Sequence, residues 1–337
     1  MTQERMQSGE TRHFYHSFPR LKPGAVRSNI VAKGLAILKS IKEIGLILAP
    51  EIVPWSQPVV KGDDRRVNTK QHRISFTELS RSELPGHSKW FGPFSLQFRI
   101  DALRRLGALP TIYVPQPLTG DRNFSSVGTV IVSTIGDIKY TVDQLHQLSQ
   151  LSDLEHVKRL PGAAGATSLS PDCTVNLQNT DENKKVVRSS QVPLRSIKAV
   201  LDYIGYKNAP FELMTGVLHA VQNLFYPTDD AHTEDALLQY YRQREWRIIP
   251  GLSVGGTQYC KPITASEQKE KLLAIDERFW GTQFPDGSSN HRRVDDAFFI
   301  ADFEGRHISE WIEKVIVPSD AFSEGKQLFG DRVESAN

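Results

Sequence analysis

The stretch Tyr240-Tyr241-Arg242-Gln243-Arg244-Glu245-Trp246-Arg247-Ile248-Ile249-Pro250 gathers the side chains best suited to chemistry. It reads as the end of a helix running into a short strand that Pro250 closes. Strand side chains alternate between faces, so Glu245 shares a face with Gln243 while Arg244 and Trp246 point the other way. A single carboxylate fixed on a strand, with a glutamine two residues before it on the same face, suits stabilisation of a cation developing on a sugar. The same residues also suit a structural salt bridge in an arginine-rich strand. Two earlier stretches carry further candidates. In Arg73–Leu79, Ser75 and Thr77 share one face and Ile74 and Phe76 the other, so the hydroxyls line either a cleft or a solvent-facing strand. In His13–Phe18, an aromatic run closed by Pro19, His16 stands at the end of a strand where it could face a cleft. Asp229, Asp230, His232 and Glu234 offer oxygen and nitrogen ligands for a hard cation, or else cap and charge a helix N-terminus.

The elements that must position these residues follow from periodicity. Ile30, Gly34, Leu35, Leu38, Ile41, Gly45 and Leu48 recur every three or four residues and predict an amphipathic helix from Ser28 to Ile47. Residues 50–71, rich in Pro, Gly and charge, read as a loop. A short helix through Glu83 and His87, a strand at Pro93–Phe98, a helix at Ile100–Leu106 and a strand at Thr111–Val114 follow. Val130–Ser133 reads as a strand or buried segment and Thr141–Val157 as a helix. Residues 159–192 lose periodicity and read as a flexible insertion, dividing residues 1–158 from residues 193–337 within one domain. Helices at Pro193–Ile204, Phe211–Phe225 and Ala236–Tyr241, strands at Ala297–Phe303 and Lys314–Pro318, and a tail helix at Ser319–Phe329 complete an α+β pattern.

Composition bounds the function. The chain has 337 residues, enough for a sizeable core, and 41 basic against 39 acidic residues leave a formal charge of +2. No global field therefore draws it to nucleic acid or membrane. Cys173 and Cys260 form no metal-binding pattern and read as reduced thiols of a cytoplasmic protein. The polar stretch Met1–Gly9 predicts no secretory signal, and no run reaches the about 18 apolar residues of a spanning helix. Gly251–Gly256 lacks the Gly-Lys-Ser/Thr end of a phosphate loop.

The ordered set of His16, Ser75-Phe76-Thr77 and Gln243-Arg244-Glu245 resembles the strand layout of the ADP-ribosyltransferase fold. The phrases Ile74-Ser75-Phe76-Thr77-Glu78, His87-Ser88-Lys89-Trp90-Phe91-Gly92-Pro93-Phe94, Ala108-Leu109-Pro110-Thr111-Ile112-Tyr113-Val114 and Arg244-Glu245-Trp246-Arg247 look like the AbiGi family of abortive phage-resistance proteins. In outline the likeness runs from His16 to Pro318. It implies an α+β fold of mixed, largely antiparallel sheets with flanking helices that takes NAD as substrate. On that likeness Glu245 would bond the nicotinamide ribose and stabilise its oxocarbenium-like charge, and Gln243 would orient the acceptor. His16 would meet the adenosine-side ribose, and Ser75 and Thr77 would hold the strand and the nicotinamide ribose. Tyr241 and Arg247 would complete the cofactor-binding set, with Arg242, Arg244 and Arg247 neutralising diphosphate. AbiGi-like chains favour an acidic residue where this chain has Gln243. The family is also described as half of a two-protein system, which implies a cognate toxin or antitoxin as partner, beside a protein or nucleic-acid acceptor of any modification.

Overall fold

The computed structural model describes residues 11–20, 26–56, 66–115, 127–150, 158, 174–181, 185–203, 210–228, 244–251, 257–283 and 291–336. The chain opens with β1 (His13–Phe18), α1 (Arg27–Glu43), β2 (Leu46–Ser56), β3 (Arg66–Leu79), α2 (Leu84–Phe91), β4 (Phe94–Phe98) and α3 (Ile100–Arg105). Next come β5 (Leu109–Pro110), β6 (Ile112–Pro115), α4 (Val127–Gln150), β7 (Thr174–Thr180), β8 (Val186–Pro193), α5 (Leu194–Tyr203), α6 (Pro210–Gln222), β9 (Phe225–Thr228) and β10 (Glu245–Ile248). The C-terminal part holds β11 (Lys261–Pro262), α7 (Ser266–Ile275), α8 (Glu277–Trp280), β12 (Phe298–Ile300), β13 (Asp302–Phe303), β14 (Arg306–His307), β15 (Ile312–Val317), α9 (Phe322–Phe329) and β16 (Val333–Ser335). The fold is mixed α+β with mostly antiparallel sheets. Among the described pairs only β15–β16 and β6–β9 run parallel.

Two compact units divide the chain, Met1–Ser133 with Ala220–Asn337, and Thr134–His219. The first holds a ten-stranded sheet in the order β11-β12-β2-β3-β1-β4-β15-β16, with β10 paired to β3 and β5. β3 is its hub. Its first half ladders with β2, from Arg66↔Ser56 to Arg73↔Ala49, and its second half with β10 and β1. The pleat of β3 divides its side chains by chemistry, because neighbours along a strand face opposite ways. Ile74 and Phe76 enter the main core with Phe14, Phe94, Leu96, Phe98 and Ile248, which α1 covers with Leu38 and Ile41. Each such burial contributes about 1.5–3 kcal/mol, so β3 is anchored by one face while Ser75 and Thr77 are presented by the other. The second unit contains the β7–β8 pair and a small apolar cluster of Val142 and Ile197 backed by Leu145, Leu148, Val192 and Leu218.

Several expectations are corrected. Residues 50–71 are largely strand rather than loop: β2 reaches Ser56 and β3 begins at Arg66. The prolines at 50 and 54 are tolerated because β12 pairs only with Leu46–Leu48, so the rest of β2 is laddered to β3 alone among the described residues. Val130–Ser133 belongs to the helix α4, whose Val132 is fully buried against Val53, Trp55 and Val114. Packing there outweighs the few tenths of a kcal/mol by which β-branched residues disfavour a helix. The insertion expected at residues 159–192 contains the antiparallel pair β7–β8. The predicted helix at Ala236–Tyr241 and the cluster Asp229, Asp230, His232 and Glu234 lie outside the described residues. Among the described residues no helix is long and apolar enough to cross a membrane, and no three His, Cys, Asp or Glu groups are arranged to hold a metal. Cys260 is a buried free thiol whose pKa burial pushes up to about 12, and Cys173 is not among the described residues.

Candidate functional site

β10 carries only four residues, and its register on β3 fixes what each one does. Glu245 lies opposite Thr77, Trp246 opposite Phe76, Arg247 opposite Ser75 and Ile248 opposite Ile74. Cross-strand partners share a face, so Trp246 and Ile248 follow Phe76 and Ile74 into the core. The Trp246 ring packs 5.3 Å from that of Phe14. Glu245 and Arg247 emerge on the opposite face with Ser75 and Thr77.

On that face a cavity of about 560 Å³ is lined by β1, β2, β3, α2 and β10, together with Tyr226, Phe279 and Arg292. That size falls in the range of small-molecule sites. Glu245 reaches its wall. Ser75 Oγ donates to Glu245 Oε1 at 2.6 Å, Arg247 Nε donates to the same oxygen at 2.8 Å, and Tyr113 OH donates to Oε2 at 2.5 Å. Burial pushes the Glu245 carboxyl up, but Arg247, Arg73 and the Ser75 and Tyr113 bonds outweigh it and hold the pKa at about 2. Burial and the adjacent Glu245 charge push the Tyr113 phenol up, so it stays a donor.

Arg247 lines the cavity and also supports Glu245. Its side chain is 1 % exposed against 13 % for Glu245. Besides Glu245 it donates from Nη1 to the Asn223 carbonyl at 3.0 Å, and its guanidinium lies 4.9 Å from the centre of the Tyr226 ring. Such a group is a positioning residue, satisfied by the scaffold and aimed at the carboxylate.

Two histidines border the cavity. The β1–β3 ladder ends at Tyr15↔Thr77, and beyond it the His16 ring takes over, with Nδ1 2.9 Å from the Ser75 carbonyl. A carbonyl only accepts, so Nδ1 carries the proton and Nε2 of the neutral ring is an acceptor. Burial among Phe18 and Phe76 lowers the His16 pKa, and the Ser75 bond only partly opposes it. His87, on α2, bridges Thr77 Oγ1 at 3.0 Å and Ser17 Oγ at 3.2 Å and stacks on Phe91. Burial, helped by His16, lowers its pKa to about 4 against the opposing pull of Glu245. The helix can approach this closely because of Gly92 at its C-terminal end. With φ of 124°, it lies where any Cβ would stand 2.4 Å from the backbone of Phe18 and Pro19.

Of the residues expected at the site, His16, Ser75, Thr77, Glu245 and Arg247 line this one cavity. Arg244, at φ 43°, instead donates to Glu83 at 2.8 Å. Tyr241, Arg242 and Gln243 lie outside the described residues. Sequence reasoning missed His87, Tyr113, Arg73, Glu51 and Arg292. His87 and Phe91 have i, i+4 spacing on α2, a legible sign that they share a helix face. Tyr113 and Arg292 reach the site through tertiary folding and carry no local signal. Comparison with models of protein families, with curated proteins and with solved structures gave no match.

Proposed function

We propose that the cavity takes NAD as a substrate and that the protein is an ADP-ribosyltransferase-like effector of anti-phage defence, modifying a protein or nucleic acid in the cytoplasm. The observation that carries this reading is a carboxylate kept ionised at a cavity wall, hydrogen-bonded to Ser75 on the adjoining strand. The residues suit the group. Glu245 and the His16 acceptor nitrogen match sugar hydroxyls, the guanidinium groups on the wall match phosphate, and the Phe91, Tyr226 and Phe279 rings offer apolar faces.

NAD supplies a glycosidic bond to a cationic nicotinamide ring. When the C1′–N bond breaks, nicotinamide keeps the bonding pair and leaves neutral, and positive charge passes to the ribose. Glu245, already oriented by Ser75, Arg247 and Tyr113, stabilises that charge without reorganising, and such preorganised electrostatics are commonly worth about 10²–10³ in rate. An acceptor nucleophile then bonds to C1′ and releases a proton. The neutral His16 and His87 rings add no competing positive charge near the sugar.

A second reading rests on the same carboxylate. Both Glu245 oxygens already accept protein hydrogen bonds, as in a fold kept for binding. The protein would then be the non-catalytic antitoxin or regulatory partner of a toxin in a two-protein abortive-infection system. Incubating the pure protein with labelled NAD and cell extract separates the two. Label transfer or nicotinamide release that Glu245→Gln abolishes supports the enzyme. Neither activity, with co-purification of a partner that Glu245→Gln leaves intact, supports the binding role.

A further inference from the structure

Residues of β2, with Arg73, Tyr226, Phe279 and Arg292, form part of the cavity wall. Arg73 donates from Nη2 to Glu51 Oε2 at 2.6 Å, and its guanidinium lies 4.8 Å from the centre of the Tyr226 ring. Arg292 donates from Nε to the Pro50 carbonyl at 2.9 Å, and its guanidinium lies 4.2 Å from the centre of the Phe279 ring. Glu51 also acts through space on Arg292, so a single carboxylate serves two guanidinium groups. A backbone carbonyl and an aromatic face hold the Arg292 fork in a fixed orientation, the arrangement in which arginine recognises phosphate oxygens bidentately.

The charge of the whole wall points the same way. Four guanidinium groups, on Arg20, Arg73, Arg247 and Arg292, face two carboxylates, on Glu51 and Glu245. Both histidines are held neutral at pH 7, so the lining has an excess of two positive charges. A diphosphate bridge carries two negative charges. Arg73 also acts through space on Glu245, so the carboxylate and this guanidinium belong to one electrostatic neighbourhood of the cavity.

We propose that Arg73 and Arg292 form a diphosphate subsite, with Arg292 the principal contact and Glu51 the anion it displaces, so that the ligand is a diphosphate-bridged nucleotide. This deepens the NAD reading and replaces Arg247, which the Glu245 pair occupies, as the diphosphate partner.

The test is calorimetric titration of ADP-ribose and of inorganic pyrophosphate into wild type, Arg292→Ala and Arg292→Lys, with thermal melts of each. Wild type is expected to bind ADP-ribose, and pyrophosphate is expected to compete. Loss of a charged hydrogen-bonding partner weakens binding by about 10- to 100-fold, so Arg292→Ala should weaken ADP-ribose by that factor, with partial recovery in Arg292→Lys. Wild-type affinity in a folded Arg292→Ala overturns the subsite, as does failure of wild type to bind either probe at millimolar concentration. If Arg292→Ala does not fold, Arg292→Lys and pyrophosphate competition on wild type decide alone. Arg292-dependent ADP-ribose binding without NAD cleavage supports the subsite and removes the enzyme reading. NAD cleavage with unchanged KM in Arg292→Ala does the reverse.

Discussion

Arg247 donates to Glu245 at 2.8 Å from two residues along the same strand, and it is the more buried of the two. The guanidinium is therefore the support and the carboxylate the presented group. Removing one partner of a buried pair leaves an uncompensated charge, at a cost of about 3–5 kcal/mol. Arg247→Met should lower stability by that order in urea unfolding. The double variant Arg247→Met with Glu245→Gln should recover part of it.

Acid should act on the histidines before it acts on Glu245. An unfolded histidine titrates at about 6.5, whereas His87 in the fold titrates at about 4 and His16 is also lowered. The unfolded chain then binds more protons between those values, so stability present above pH 6.5 is lost as pH falls toward 4. Glu245 is depressed from about 4.3 to about 2, so its contribution persists until pH falls below 4.3. Unfolding midpoints measured from pH 7.5 to 4 should fall with decreasing pH, and His87→Gln should make that slope shallower.

Gly92 sets the distance between α2 and β1. A side chain there meets the Phe18–Pro19 backbone in a conformation that L residues rarely adopt, and such strain costs about 1–3 kcal/mol. Gly92→Ala should lower the melting temperature and pull His87 away from Ser17 and Thr77. Loss of the His87 imidazole shifts in an NMR spectrum of the native protein would report the second effect.

Alternation alone placed Ser75, Thr77 and Glu245 toward one side and Trp246 toward the core, because a strand's period is set by the backbone and needs no partner. The same rule applied two residues further sets Arg247 beside Glu245, which explains why it supports the carboxylate. His16 was legible as a strand residue, but β1 runs on to Phe18 rather than ending there, and the His16 bond to the Ser75 carbonyl depends on where β1 leaves β3. Arg73 lies on β3, Tyr113 on β6 of the separate β6–β9 pair and Arg292 between α8 and β12, so their convergence is a tertiary property with no local signal. Proline content hid β2, which beyond Leu48 is laddered to β3 alone among the described residues and so tolerates missing donors. β-branched residues hid the start of α4, where the buried face of Val132 decides the outcome.

The direct test of the central claim is the rate of nicotinamide release from NAD by wild type and Glu245→Gln, with ADP-ribose affinity measured for both. If Glu245 stabilises charge on the ribose, kcat should fall by about 10²-fold or more while ADP-ribose binds within a few-fold of wild type. Equal release by the two proteins, or no release by wild type, would contradict the account.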